Sequence, residues 1–68
     1  MFLVVHKNKH ESWLNEEVVY KLYENYNDAV DYARNNIESY MHKRQGDAWY
    51  YKDAGYEDTI SIIKIIPE

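Results

Sequence analysis

Apolar positions change their spacing several times along this chain, and each change predicts an element. Phe2-Leu3-Val4-Val5 is continuously apolar and partly β-branched. That is the pattern of a strand covered on both faces, and it predicts a central place in a sheet. Asn8 to Asn15 is polar apart from Trp13 and Leu14 and reads as a loop. From Val18 to Tyr23 the period is two, which predicts a second strand with Val18, Tyr20 and Leu22 on one face.

At Tyr26 the period becomes helical. Tyr26, Ala29, Val30, Ala33, Ile37, Tyr40 and Met41 fall on one stripe, with Asp28, Asp31, Asn35, Glu38 and His42 opposite. Asn25 reads as the N-cap, with Asp28 three residues on as a short capping box. Lys43 and Arg44 suit the last turn, where the helix dipole favours cations, and Gly46 reads as the stop.

Ala48 to Lys52 predicts a third strand, with Trp49 and Tyr51 facing the core and Tyr50 and Lys52 facing away. Asp53-Ala54-Gly55-Tyr56 supplies a glycine for a short hairpin turn with a bulge. Thr59 to Ile66 forms the fourth strand. Its pattern shifts at Ile62-Ile63, where a second bulge would turn all four isoleucines inward. The expectation is one α+β domain spanning residues 1–68, in the order β-β-α-β-β. One amphipathic helix lies on a mainly antiparallel four-stranded sheet.

Length and charge narrow the functions open to such a domain. At 68 residues without cysteine, its stability rests on packing alone. Twelve acidic residues against eight basic ones give a net charge of −4. Nucleic-acid binders draw their affinity from cations that neutralise phosphates, so direct nucleic-acid binding is not expected. No stretch has the length of a membrane span or a signal-peptide core, which makes the cytoplasm the expected compartment.

Chemistry-bearing residues are sparse. His6 and His10 are four apart, but on a strand entering a loop. Glu38 and His42 share a helix face in this reading and predict an exposed ion pair. No complete metal-ligand set, glycine-rich phosphate loop or nucleophile motif is present, so no catalytic, cofactor or metal site is expected. Carboxylates and tyrosines carry the remaining signal. Tyr50, Asp53, Tyr56, Glu57 and Asp58 cluster about the hairpin, and Asp28, Asp31 and Glu38 line the outer helix face. Exposed tyrosine beside negative charge suits a protein partner, including a basic nucleic-acid-binding protein.

The segment Val18 to Ala33 runs from a strand into Tyr23-Glu24-Asn25-Tyr26-Asn27-Asp28-Ala29-Val30-Asp31-Tyr32-Ala33. It resembles small acidic accessory proteins of phages and mobile elements, of the anti-CRISPR or anti-defence kind. The resemblance implies a non-enzymatic inhibitor that binds a host protein. Two alternatives stand beside it. One is a small-ligand or sensing domain using Tyr20, Tyr40 and Trp49. The other is a self-associating homodimer joined at the edge strand Val18 to Tyr23.

Overall fold

The computed structural model describes residues 1–37 and 42–66. Its elements are β1 (Phe2–His10), β2 (Glu17–Tyr23), α1 (Tyr26–Asn36), β3 (Lys43–Gln45), β4 (Ala48–Asp53) and β5 (Tyr56–Lys64). The strands form one five-stranded sheet in the order β2-β1-β5-β4-β3, and every neighbouring pair is antiparallel. The α+β class with a single helix matches the sequence reading. A fifth strand, β3, takes the place of the expected end of the helix.

The apolar run at the start of the chain does occupy a central strand, paired with β2 on one side and β5 on the other. The β1–β5 register runs without interruption from Phe2 opposite Lys64 to His10 opposite Tyr56. It leaves no room for the expected bulge at Ile62-Ile63. Alternation therefore continues: Ile60 and Ile62 are buried, whereas Ile63 and Ile65 are exposed. β1 also extends through His10, beyond the expected loop start at Asn8, because Asn8 and His10 pair with Asp58 and Tyr56.

The helix packs on one face of the sheet, against β1, β2 and β5. Ala29 and Ala33 are four apart, so both small side chains meet the sheet and let the helix approach closely. With Val30 they join Val4, Ile60, Ile62 and Trp49 in the core, flanked by Phe2, Tyr23, Tyr26, Tyr32 and Ile37. The apolar stripe read from sequence is thus the buried one as far as Ile37. Its continuation at Tyr40 and Met41, and Glu38 with them, lies outside the described residues.

The helix ends well before Gly46 for a local reason. Asn35 and Asn36 have low helix propensity, and the Asn36 side-chain amide donates to the Tyr32 carbonyl at 2.7 Å, satisfying a carbonyl the next turn would use. Ile37 is already extended, at φ −120° and ψ 153°. At the other end Asn25 has the extended backbone of an N-cap. Its side chain makes no capping bond, and its amide only approaches Asp28 at 3.5 Å.

Freed from the helix, Lys43, Arg44 and Gln45 pair with Tyr50, Trp49 and Ala48. Gly46 is then the first residue of a two-residue hairpin loop, at φ +60°, a position that favours glycine. The Arg44 guanidinium stacks over the Trp49 ring at 4.6 Å.

The β4–β5 hairpin also closes with two residues, Ala54 and Gly55, both at positive φ (44° and 83°) and without the expected bulge. A type I′ connection demands this conformation at both positions, and Ala54 adopts it at a steric cost. Ala54→Gly is expected to stabilise the domain by about 0.5–1 kcal/mol. Trp49→Ala, which empties the core beneath Arg44, is expected to cost about 3–5 kcal/mol. Urea denaturation of the two variants measures both. A destabilised glycine variant would contradict the turn geometry, and an unaffected alanine variant would contradict the core assignment.

Candidate functional site

β5 places Asp58 on the same face as Ile60 and Ile62, and β1 places His6 on the same face as Val4. Both side chains consequently point under the cover of the fold. Asp58 is only 5% exposed. Its Oδ1 lies 2.7 Å from His6 Nε2 and its Oδ2 lies 2.9 Å from His42 Nε2. Tyr32, on the helix, reaches the other nitrogen of His6, with its hydroxyl 3.2 Å from Nδ1.

With Asp58 ionised, these distances set the proton positions. Both histidines donate from Nε2, so a neutral His6 leaves Nδ1 to accept from the Tyr32 hydroxyl. The result is a buried carboxylate whose two oxygens are each claimed by an imidazole, as a charged group out of water requires. One hydrogen-bonded unit thereby joins β1, β5, the helix and the residue that precedes β3.

The order hydroxyl–imidazole–carboxylate is also that of nucleophilic triads, with a phenol here in the place of the usual nucleophile. Burial first, then the neighbouring Tyr23 and Asp58, pushes the Tyr32 hydroxyl above tyrosine's ordinary value of 10.0, the reverse of an activated nucleophile. Through these hydrogen bonds the cluster links four segments of the chain.

Aromatic rings extend from it along the part of this face that the helix does not reach. His42 packs on Tyr51 (5.5 Å between ring centroids), Tyr51 on Tyr56 (6.2 Å), Tyr56 on Trp13 (6.3 Å) and Trp13 on His10 (6.0 Å). The β1–β2 loop is folded back to complete the row, with the Glu11 amide donating to the Gly55 carbonyl at 2.9 Å. Burial first, then Asp58, raises the Tyr56 hydroxyl as well, and a hydrogen bond with Asn8 partly offsets this. Asn8 stands opposite Asp58, and its Oδ1 is buried with no hydrogen-bond partner among the described residues.

Among the described residues no helix covers the opposite face of the sheet. Alternation and register assign it Leu3, Val5 and Lys7 of β1, Val18, Tyr20 and Leu22 of β2, and Thr59, Ser61 and Ile63 of β5. Tyr50 of β4 joins them opposite Thr59. Tyr20 is 64% exposed, Leu22 59%, Ile63 49% and Tyr50 43%. An open depression of about 590 Å³ lies among Leu3, Val5, Lys7, Tyr20, Thr59, Ser61 and Ile63.

The residues singled out from the sequence therefore do not form one patch. Asp28 and Asp31 are exposed on the helix, as expected, and Glu38 lies outside the described residues. Tyr50 and Glu57 belong to the helix-free face, where Glu57 pairs with Lys52 at 3.3 Å. Asp53 is exposed at the hairpin, and Tyr56 is half-buried on the covered side. Asp58 is a correction. It was expected at an accessible hairpin and is instead the most buried charged group described. His42 is another, since it stands beyond the helix and binds Asp58. Tyr20 and Trp49 lie on opposite faces of the sheet, so they cannot line one ligand groove.

Sequence reading missed the His6–Asp58–His42 unit. The available signal was parity: His6 is two residues from Val4, and Asp58 two from Ile60. Among the described residues no group of three or more side chains is arranged to hold a metal ion, and no helix is long and apolar enough to cross a membrane. Known protein families, curated proteins and solved structures offer no match to this chain.

Replacing Asp58 by asparagine puts an amide N–H₂ against at least one imidazole N–H. Asp58→Asn is expected to cost about 2–3 kcal/mol, the range for hydrogen bonds to a charged partner. Chemical denaturation followed by Trp fluorescence checks this. A loss below about half a kcal/mol, the usual scatter for surface changes, would show that the unit does not hold the fold together.

Proposed function

We propose that this chain is a non-enzymatic protein-binding domain that meets its partner with the helix-free face of its sheet. One observation carries the reading. β1 has a sequence apolar on both faces, yet α1 covers only one of them, leaving Leu3 and Val5 among exposed Tyr20, Leu22, Ile63 and Tyr50. Contiguous apolar surface of this kind marks interaction sites on small soluble domains. Exposed tyrosines also supply the amphipathic contact area that interfaces favour.

Charge on this face describes the partner. Lys7, Lys9, Lys43 and Lys52 share it by alternation, against Glu57 alone among the acidic strand residues, although the whole chain is at −4. The apolar strip is thus bordered by cations and fits an apolar patch with acidic flanks. A phage-type inhibitor of a host defence protein is the finer reading, and it rests on the resemblance of Val18 to Ala33.

The exposed carboxylates of Asp28 and Asp31 favour a second reading. In it the helix side meets a basic partner, such as a nucleic-acid-binding protein, through attraction that weakens with salt.

Affinity capture with three forms of the immobilised protein separates the readings. Ile63→Asp combined with Tyr50→Ala removes two anchors of the helix-free face and is expected to weaken capture tenfold or more, by about 1–2 kcal/mol per anchor. Asp28→Lys combined with Asp31→Lys should leave it unchanged. The reverse pattern selects the helix side, and capture indifferent to both pairs rejects both surfaces. Tyrosine fluorescence titrated with a single-stranded oligonucleotide adds a control. Binding abolished by Tyr50→Ala would replace the protein partner with nucleic acid, because rings beside lysines also form a stacking platform.

A further inference from the structure

The two edges of the sheet are built differently. β3 has three residues, Lys43-Arg44-Gln45, all exposed; it is short and cationic, as protected edges are. β2 has seven residues, Glu17 to Tyr23, and among the described residues pairs only with β1. It contains Val18, Val19, Tyr20 and Leu22, no proline and no bulge against β1, and its outer side offers an unpaired row of backbone donors and acceptors.

We propose that this edge pairs with β2 of a second copy, antiparallel about a two-fold axis through Val19. The charge pattern of Glu17-Val18-Val19-Tyr20-Lys21 is self-complementary in that register alone. Glu17 stands opposite Lys21 of the second copy, Lys21 opposite its Glu17, Val18 opposite its Tyr20, and Val19 opposite Val19. A two-fold contact must use the same patch on both copies, and this one does. Cross-strand pairs of opposite charge stabilise such a ladder, and β-branched residues packed against an aromatic add to it. Sliding the register by two residues sets Lys21 against Val19 in one direction and Asn15 in the other, and leaves both ion pairs unmade.

Directly opposed residues share a face, so the dimer is one ten-stranded sheet with both helices on the same side. Glu17 and Lys21 lie on the helix side by their register with Asn8 and Val4, where the Lys21 ammonium stands 5.2 Å over the Tyr32 ring. Val18 and Tyr20 lie on the helix-free side and continue its apolar surface across the axis. Val18 and Tyr20 belong to both surfaces, but the dimer is made by the backbone edge and the Glu17–Lys21 charges, so its test is independent of the protein-binding reading.

Sedimentation equilibrium across the micromolar range tests it with charge variants. Glu17→Lys and Lys21→Glu each turn both ion pairs into like-charge pairs, and each is expected to weaken self-association about tenfold or more. Mixed one to one, the two variants regain complementary charges and should form a heterodimer as tight as the parent. The double variant, which exchanges the two charges, should do the same on its own. Circular dichroism checks that each variant remains folded. A parent protein monomeric at high micromolar concentration overturns the proposal. So do single variants that associate as well as the parent, or a mixture that stays monomeric.

Discussion

One helix covers one face of this sheet, and most features of the molecule are responses to that limit. The eleven-residue helix packs against β2, β1 and β5, three of the five strands. Even the covered face is therefore incompletely covered. The helix sits over β2, β1 and β5, where alanines allow close approach, and it leaves β4 and β3 to be protected by other means. Arg44 over Trp49 is one of these, and the aromatic row from His10 to His42 is another.

The buried carboxylate fits the same account. An Asp on a central strand, facing inward, is an expensive residue unless both oxygens are satisfied. Asp58 is satisfied by two histidines whose own positions depend on the fold being complete: one from β1 and one immediately before β3. Apolar packing there would stabilise without prescribing which segment lies where. Fixed hydrogen-bond partners prescribe it. This accounts for a carboxylate beside so many rings in Trp49 to Asp58: the rings exclude water, and the histidines replace it.

Elements set by local pattern were legible in the sequence, and those set by distant partners were not. The central β1, the existence of β2, the buried helix stripe and the inward Trp49 all follow from periodicity. The helix end was misplaced because Tyr40, Met41 and Lys43 prolong a helical pattern past two asparagines that stop it. A three-residue strand such as β3 has too few positions to show a period and exists only because Tyr50, Trp49 and Ala48 lie beside it. Asp58 looked solvated because its neighbours Asp53 and Glu57 are. Its inward orientation depends on a β1–β5 register joining residues more than fifty positions apart. The bulge expected at Ile62-Ile63 came from assuming that every isoleucine must be inside.

That assumption averaged over two faces with different environments, and a net charge does the same. Ile63 is outward because the helix-free face is itself apolar, a fact already present in the doubly apolar run Phe2 to Val5. The net charge of −4 describes neither face. Alternation places four lysines and one glutamate of the strands on the helix-free side, which leaves the acidic excess to the helix, the turns and the loops. An encounter governed by long-range attraction would therefore orient the molecule, presenting its apolar strip to acidic surfaces and its helix to basic ones. For a domain this small, the direction of its charge separation describes a partner better than its sum does.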